Sequence, residues 1–123
     1  MRALVIDDSK AIRLILGKML REMGFEIFEA GNGRQAVERL KEVGKVEIAL
    51  VDWNMPEMNG YEFVCEVRKD ANYNDMLLMM VTTETEMSQV IKALEAGANE
   101  YVMKPFTKDI IKEKLTLLGV VNS

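Results

Sequence analysis

Residues 46–52 read Val-Glu-Ile-Ala-Leu-Val-Asp, and residues 3–7 read Ala-Leu-Val-Ile-Asp. Both are short apolar runs that end in an aspartate. A third stretch, residues 76–82, is almost uninterrupted apolar sequence that ends in a threonine. Runs of this length and composition are typical of strands that are buried on both faces, as in parallel sheets. These three stretches therefore predict the centre of a parallel β-sheet.

Longer segments with helical spacing separate these runs. Ile12 and Leu16, for example, share one helix face, and Gly24 closes that segment. Two more β-like segments, residues 25–30 and 100–103, bring the total to five β/α units. Strands that alternate with helices imply a parallel sheet covered on both faces.

The number of units selects the architecture. Five units are too few for an eight-stranded β/α barrel, so the sheet must be open. We predict one flavodoxin-like, doubly wound α/β domain over residues 1–123, with the strand order 2-1-3-4-5 that is common at this size.

Composition excludes several classes of function. The chain has 123 residues, no histidine, one cysteine and a formal charge of −4. Without histidine, a Ser-His-Asp triad cannot form and a zinc site is improbable. The negative charge argues against a nucleic-acid surface, and no apolar run approaches the roughly 20 residues of a membrane span.

The same features indicate the compartment. Cys65 is alone and cannot form an internal disulfide, and residues 1–6 do not resemble an export signal. We therefore expect a cytoplasmic protein. We also expect a monomer, because no exposed apolar stripe stands out.

Polar residues stand at the carboxyl ends of four predicted strands. They are Asp7 and Asp8 after the first, Asp52 at the third, Thr82 at the fourth and Lys104 after the fifth. In an open parallel sheet the ligand site lies at this edge, beside the point where the strand order reverses. Because the first and third strands are neighbours there, the three acids are predicted to converge.

Three converging carboxylates favour a hard divalent cation. Their mutual repulsion would raise at least one pKa, and oxygen ligands without His or Cys select Mg²⁺, with Mn²⁺ as the alternative. Asp7 and Asp8 would hold the metal, and Asp52 would be the nucleophile that forms an aspartyl-phosphate. Thr82 and Lys104 would contact the phosphoryl oxygens.

Each of these features also has a purely structural interpretation. Asp8 or Ser9 could cap the first helix, and Asp52 could begin a turn. Lys104-Pro105 could be an exposed turn. The coincidence of five chemically matched residues at one edge of the sheet favours the site.

Five blocks of the sequence resemble the signature blocks of response-regulator receiver domains. They are VIDDS at 5–9, VDWNMP at 51–56, MNG at 58–60, VTTE at 81–84 and KPFT at 104–107. Each block is weak alone, but their order and spacing over nearly the whole chain are specific. Within this family, the chain is most similar to the single-domain chemotaxis regulators.

The resemblance implies a role for each site residue. Asp52 is the phosphoacceptor, and Asp7 and Asp8 are the acidic pair around the metal. Asn54 contributes its backbone carbonyl to the metal. Lys104 contacts the phosphoryl group.

The resemblance also implies a conformational switch. The Lys104–Pro105 peptide is expected to be cis. Thr82 and Tyr101 form the switch pair: Thr82 moves toward the phosphoryl oxygens and Tyr101 turns inward behind it. The readout face is the fourth helix, the fifth strand and the fifth helix.

A further pair is implied in dephosphorylation. Asn54 and Glu84 flank the path of the water that hydrolyses the acyl phosphate, which favours a self-dephosphorylating signal. One departure concerns the readout face. The fourth helix begins Glu84-Thr85-Glu86-Met87, where the flagellar regulator is lysine-rich, so the flagellar motor switch is not the expected partner.

The function implied is that of a response regulator in a two-component phosphorelay, possibly chemotaxis. It is not a conventional enzyme but a phosphoacceptor that catalyses its own phosphotransfer. The phosphodonor is a sensor histidine kinase or a phosphotransfer protein, and a downstream protein reads the switched face.

Three alternatives share the fold or the chemistry. One is an interaction module of the same fold that works without phosphorylation. Another is a haloacid-dehalogenase-type phosphatase, which needs a second acid where Asn54 stands. The third is an FMN binder, in which acids at Asp7-Asp8 would repel the phosphate.

Overall fold

The computed structural model describes residues 1–121, apart from the side chain of Glu84. Its strands are β1 (Arg2–Ile6), β2 (Glu26–Ala30), β3 (Ile48–Asp52), β4 (Leu77–Thr82) and β5 (Glu100–Met103). Its helices are α1 (Lys10–Glu22), α2 (Gly33–Val43), α3 (Gly60–Arg68), α4 (Val90–Ala96) and α5 (Lys108–Leu117). Short 3₁₀ segments, Ala71–Tyr73 and Glu84–Gln89, precede β4 and α4.

The strands form one parallel sheet in the order β2-β1-β3-β4-β5. The predicted fold class and strand order are therefore confirmed. One boundary differs in an informative way, because β1 ends at Ile6 and not at Asp7. The Oδ1 atom of Asp7 accepts a hydrogen bond of 2.9 Å from the Ser9 amide, and this turn stops the strand.

The core lies on both faces of the sheet. All five residues of β3 are buried, and successive side chains point to opposite faces, as a pleated strand requires. Val51 packs in the cluster that includes α2, α3 and α4. Leu50 packs in the cluster that includes α1 and α5. This two-sided burial explains why the central strands are continuously apolar.

The first helix begins directly after the acidic pair. Ser9 is its N-cap, and the Ser9 Oγ accepts a hydrogen bond of 3.3 Å from the Ile12 amide. Ser9 satisfies the end of the helix, which leaves Asp8 exposed beside it. The capping interpretation thus applies to Ser9 and not to Asp8.

The segment before α4 is a 3₁₀ helix and not the first turn of a longer α-helix. The Glu86 carboxylate accepts a 2.9 Å hydrogen bond from the Thr83 amide, and the hydroxyls of Thr83 and Thr85 lie 2.9 Å apart. Such local side-chain bonds compete with the regular helix. The α-helical part of this connection is therefore only the seven residues of α4.

Within residues 1–121, no helix combines the length and the apolar character that crossing a membrane requires.

Candidate functional site

The predicted polar residues meet at the carboxyl edge of the sheet. Asp52 is the last residue of β3 and Thr82 the last of β4, whereas Asp7 follows β1 and Lys104 follows β5. The parallel register aligns these ends, pairing Asp52 with Val81 on the neighbouring strand. Asp7, Asp52 and Thr82 are buried, with 1%, 5% and 0% of their surfaces exposed.

Three carboxylates form one cluster at this edge. Oxygen atoms of Asp7, Asp8 and Asp52 all lie within 4.8 Å of one another. Asp7 and Asp52 are buried, whereas Asp8 is exposed. The cluster therefore has two acids in the floor of the site and one at its rim.

Lys104 supplies the positive charge inside the cluster. Its Nζ lies 3.0 Å from Oδ1 of Asp52 and 3.5 Å from Oδ2 of Asp7. The lysine side chain is 25% exposed, so the two ion pairs are only partly screened by water. One ammonium thus faces two buried acids and the third, exposed one nearby.

These surroundings change the protonation of Asp52. Burial raises the pKa of Asp52 to about 6; the hydrogen bond from Lys104 opposes this rise, and the charge of Asp7 adds to it. Burial alone would lower the pKa of Lys104, but the hydrogen bond and charge of Asp52 and the charge of Asp7 leave that pKa raised. At neutral pH the Asp52 carboxylate is ionised, and the single ammonium of Lys104 does not balance the negative charge of three acids. This imbalance favours binding of a further cation.

The donor set fits a magnesium ion. Mg²⁺ prefers oxygen ligands, usually binds through one or two carboxylates, and keeps several waters. Asp7 and Asp52 offer buried oxygens, and exposed Asp8 leaves the rim open to solvent. The residues present therefore suit a divalent cation that shares its coordination sphere with water or phosphate oxygens.

A glycine allows the loop after β3 to close over the site. The Gly60 amide donates to the Trp53 carbonyl at 2.9 Å, and a Cβ on Gly60 would collide with the backbone oxygen of Asp52. The start of α3 can approach Asp52 because no side chain intervenes. In the same loop, Asn54 is exposed immediately beyond Trp53.

The structure also locates the predicted switch residues. The Thr82 hydroxyl donates to Sδ of Met87 at 3.6 Å and is thereby turned toward the 3₁₀ segment. Tyr101 on β5 is partly exposed, and Nζ of Lys114 lies 4.7 Å from the centre of its ring. The Lys104–Pro105 peptide bond is cis. The side chain of Glu84, predicted to act in dephosphorylation, lies outside the described part of the chain.

Two contacts at the site were not predicted from the sequence. One is the bond between Thr82 and Met87. The other is Arg13, whose guanidinium donates to the backbone oxygen of Asp7 at 2.6 Å. The sequence does carry a signal for this contact: Arg13 lies in the first turn of the helix that follows the acidic pair.

The predicted readout face carries exposed apolar side chains. Large apolar residues on α4, β5 and α5 are between 37% and 72% exposed: Ile91, Leu94, Met103, Ile110 and Leu117. The expectation of a monomer rested on finding no exposed apolar stripe in the sequence. The structure places such side chains on all three elements, because packing against the sheet decides which apolar residues stay exposed.

Comparison with known proteins identifies relatives over most of the chain. The model of the response regulator receiver domain family matches residues 3–116. The chain is 42% identical to chemotaxis protein CheY1 of Helicobacter pylori over 119 residues, covering 96% of each chain. It is 46% identical over 116 residues to the chemotaxis protein CheY homolog of Campylobacter jejuni, covering 94% of this chain and 89% of the relative.

A solved structure agrees in fold. The chemotaxis protein CheY4 of Vibrio cholerae superposes with a TM-score of 0.87 at 31% sequence identity, covering 94% of this chain and 96% of that one.

Proposed function

This chain belongs to the response regulator receiver domain family, and on that premise we propose that it accepts a phosphoryl group on Asp52 from a phosphohistidine of another protein. One observation carries the proposal. A buried carboxylate stands 3.0 Å from a lysine ammonium and within 4.8 Å of two further acids. Because the chain has no histidine of its own, the phosphohistidine would belong to another protein.

The transfer step makes specific demands on the residues. An oxygen of Asp52 attacks the phosphorus, the new O–P bond forms, and the N–P bond to the donor histidine breaks. Catalysis of phosphoryl transfer depends mainly on positioning the reacting groups and on electrostatic stabilisation of the transition state. Lys104 lies beside the acceptor oxygen, where it can stabilise the negative charge of the phosphoryl oxygens.

Asp7, Asp8 and Asp52, with the backbone carbonyl of Asn54, would hold a Mg²⁺ ion. When bound, the ion supplies charge neutralisation for the acids and for the phosphoryl oxygens. Its charge would allow the carboxylates and the incoming phosphoryl group, both anionic, to approach each other.

Signal output follows from the buried hydroxyl. We propose that Thr82 leaves Met87 and turns toward the phosphoryl oxygens, and that Tyr101 then moves inward. This biases a two-state equilibrium through local charge. The exposed apolar residues of α4, β5 and α5 would then present an altered surface to a downstream protein.

The relatives suggest the pathway. We propose chemotaxis signalling, because two relatives over 40% identical are named chemotaxis proteins. The phosphodonor would be a histidine kinase or a phosphotransfer protein. A cytoplasmic location is supported by the single cysteine, which a reducing compartment favours.

We also propose that the acyl phosphate is short-lived. Asn54 is exposed next to the nucleophile strand, where it can influence the approach of water, and Glu84 lies in the β4–α4 connection. The lifetime of the phosphoryl group, measured before and after exchanging Asn54→Ala and Glu84→Ala, tests this. An unchanged lifetime in both variants would refute it.

The central experiment is incubation with acetyl phosphate and Mg²⁺, followed by intact mass. We expect one added phosphoryl group, lost in Asp52→Asn and lost when Mg²⁺ is chelated. The matched control is Asp75→Asn, a change at a 90% exposed side chain that precedes the amino end of β4, whereas the site lies at the carboxyl end of that strand. A wild-type chain that never gains the group would indicate the phosphorylation-independent interaction module instead.

A further inference from the structure

The guanidinium of Arg13 bridges three elements at the base of the site. Its Nη1 donates to the backbone oxygen of Asp7 at 2.6 Å, and its Nε lies 3.0 Å from Oε1 of Glu29 on β2. The amide of Asp7 donates to the carbonyl of Ala30 at 3.1 Å. The backbone of Asp7 is therefore held on both sides, by its N–H from β2 and by its C=O from α1.

The bonded oxygen belongs to the peptide group that joins Asp7 to Asp8. That group is planar, so a bond to its oxygen orients the plane from which the Asp8 side chain departs. The Asp7 carboxylate has separate support from the Ser9 amide at 2.9 Å and from Lys104. Asp8 is exposed, so the direction of its side chain depends more on the backbone than the direction of the Asp7 side chain does.

The contacts of Arg13 hold its guanidinium in a fixed orientation. The Arg13 side chain is only 19% exposed, and Glu29 holds the other edge of the same guanidinium. A planar group held at two edges is preorganised and loses little freedom when it binds. A lysine at this position could not make both contacts with one ammonium in the same way.

Charge and positioning make opposite demands on this residue. A cation next to an acidic cluster repels an incoming Mg²⁺, so the charge of Arg13 by itself weakens metal binding. A hydrogen bond that orients a ligand strengthens metal binding, and loss of such outer contacts typically costs about 10- to 100-fold in affinity. If Arg13 acts mainly by its charge, its removal strengthens Mg²⁺ binding. If it acts mainly by positioning, its removal weakens Mg²⁺ binding.

We propose that Arg13 is a positioning residue that holds the Asp7–Asp8 peptide in the orientation in which both carboxylates share one Mg²⁺. The inference rests on the metal site of the proposed function and adds to it a residue outside the ligand set. Arg13 acts through the backbone of Asp7 and touches neither the metal nor the phosphoryl group.

The test is a Mg²⁺ titration followed by the fluorescence of Trp53, which is the only tryptophan of the sequence and directly follows Asp52. Wild type is compared with Arg13→Gln, Arg13→Lys and Arg21→Gln. Arg21 is exposed in the last turn of α1, roughly 12 Å along the same helix from Arg13. Its replacement removes the same charge away from the site.

We expect the dissociation constant for Mg²⁺ to rise about 10-fold in Arg13→Gln and several-fold in Arg13→Lys, with Arg21→Gln unchanged. At saturating Mg²⁺, the rate of phosphorylation by acetyl phosphate should return close to the wild-type value. This split separates positioning from a general loss of structure, which would weaken Mg²⁺ binding and also slow phosphorylation at saturating Mg²⁺. Thermal melting shows which variants fold, and Arg13→Lys carries the test if Arg13→Gln does not.

Two results would overturn the inference alone: an unchanged Mg²⁺ affinity in both Arg13 variants, or a tighter affinity in Arg13→Gln, which would show that only its charge matters. A wild-type chain with no Mg²⁺ response would overturn the proposed function, and the inference with it.

Discussion

Nζ of Lys104 lies 3.0 Å from Oδ1 of Asp52, and the same atom lies 3.5 Å from Oδ2 of Asp7. The lysine thus occupies the position of a counter-ion between the two buried acids. It stabilises them in the absence of metal, and for the same reason it opposes a second cation. In the proposed reaction, its charge would become favourable when the phosphoryl group brings new negative charge to the site.

Replacing Lys104 by methionine should therefore separate metal binding from phosphotransfer. We expect Mg²⁺ affinity to increase about fivefold, corresponding to ~1 kcal/mol of removed repulsion, while phosphorylation by acetyl phosphate slows about 100-fold. Trp53 fluorescence measures the first effect and intact mass against time the second.

Lys112→Met, at an exposed position of α5, is the control for loss of charge and should match wild type in both assays. If Lys104→Met bound Mg²⁺ more weakly than wild type, the counter-ion interpretation would be wrong.

Asp52 should give the metal-free protein an inverted pH dependence. Its pKa in the folded state is about 6, above the ordinary value of 3.8. Between these values the folded state binds more protons than the unfolded state, so the free energy of unfolding falls as pH rises. The fall should be at most ~3 kcal/mol, since one pKa unit corresponds to about 1.4 kcal/mol.

Urea unfolding in a chelator, at several pH values between about 4 and 7, measures this contribution as the difference between wild type and Asp52→Asn. The variant should lack the fall, and Asp75→Asn should retain it. Parallel curves for wild type and Asp52→Asn would contradict the assignment to Asp52.

Two glycines should respond in opposite directions to the same substitution. In Gly60→Ala the new Cβ would press on the backbone oxygen of Asp52 and stand 3.0 Å from the Met80 side chain, so we expect a loss of about 2 kcal/mol in unfolding free energy and weaker phosphorylation. In Gly17→Ala the nearest atoms are side-chain atoms at 3.5 and 3.7 Å.

Gly17 lies inside α1, where alanine is favoured over glycine by about 1 kcal/mol. We therefore expect Gly17→Ala to be more stable than wild type and to phosphorylate normally. Denaturant unfolding of both variants provides the comparison, and destabilisation of equal size at the two positions would show that the contact with Asp52 is not decisive.

The contact between Thr82 and Met87 should favour the unphosphorylated conformation. Leucine at position 87 cannot accept the hydroxyl, so Met87→Leu should bind beryllofluoride, a mimic of the phosphoryl group, about two- to fivefold more tightly, corresponding to ~0.5–1 kcal/mol. Glutamine offers a stronger acceptor than a thioether, so Met87→Gln should bind it more weakly.

Trp53 fluorescence in the presence of Mg²⁺ measures both affinities. Shifts of the same sign in the two variants would mean that packing of residue 87, and not its acceptor, controls the equilibrium.

Strand composition was sufficient to predict most of the fold. The continuous apolar runs that became β3 and β4 predicted burial on both faces, and the structure confirms it. The family prediction is confirmed as well. Boundaries were less predictable, because the end of β1 depends on a bond from the Ser9 amide to the Asp7 carboxylate, and such competition between side chain and backbone leaves little trace in periodicity.

The β4–α4 connection was the least predictable part. Residues 84–89 have no strong helix breaker, yet they form a 3₁₀ segment whose start is held by the bond between Thr83 and Glu86. Met87 lies in this segment, and its Sδ accepts the Thr82 hydroxyl at 3.6 Å. No spacing rule applied to the sequence could have paired these two residues.

The sequence by itself determined which residue types stand at the end of each strand, since a parallel β/α chain brings every strand's carboxyl end to one edge. It thereby determined that three acids, a hydroxyl and an amine belong to one site. Only the tertiary structure decided how they are held: which acid is exposed, where Lys104 stands between the other two, and that Arg13 donates a hydrogen bond to the backbone of Asp7. Those relationships depend on distances of a few ångströms between elements that are remote in the chain, and only the packing of helices onto the sheet sets such distances.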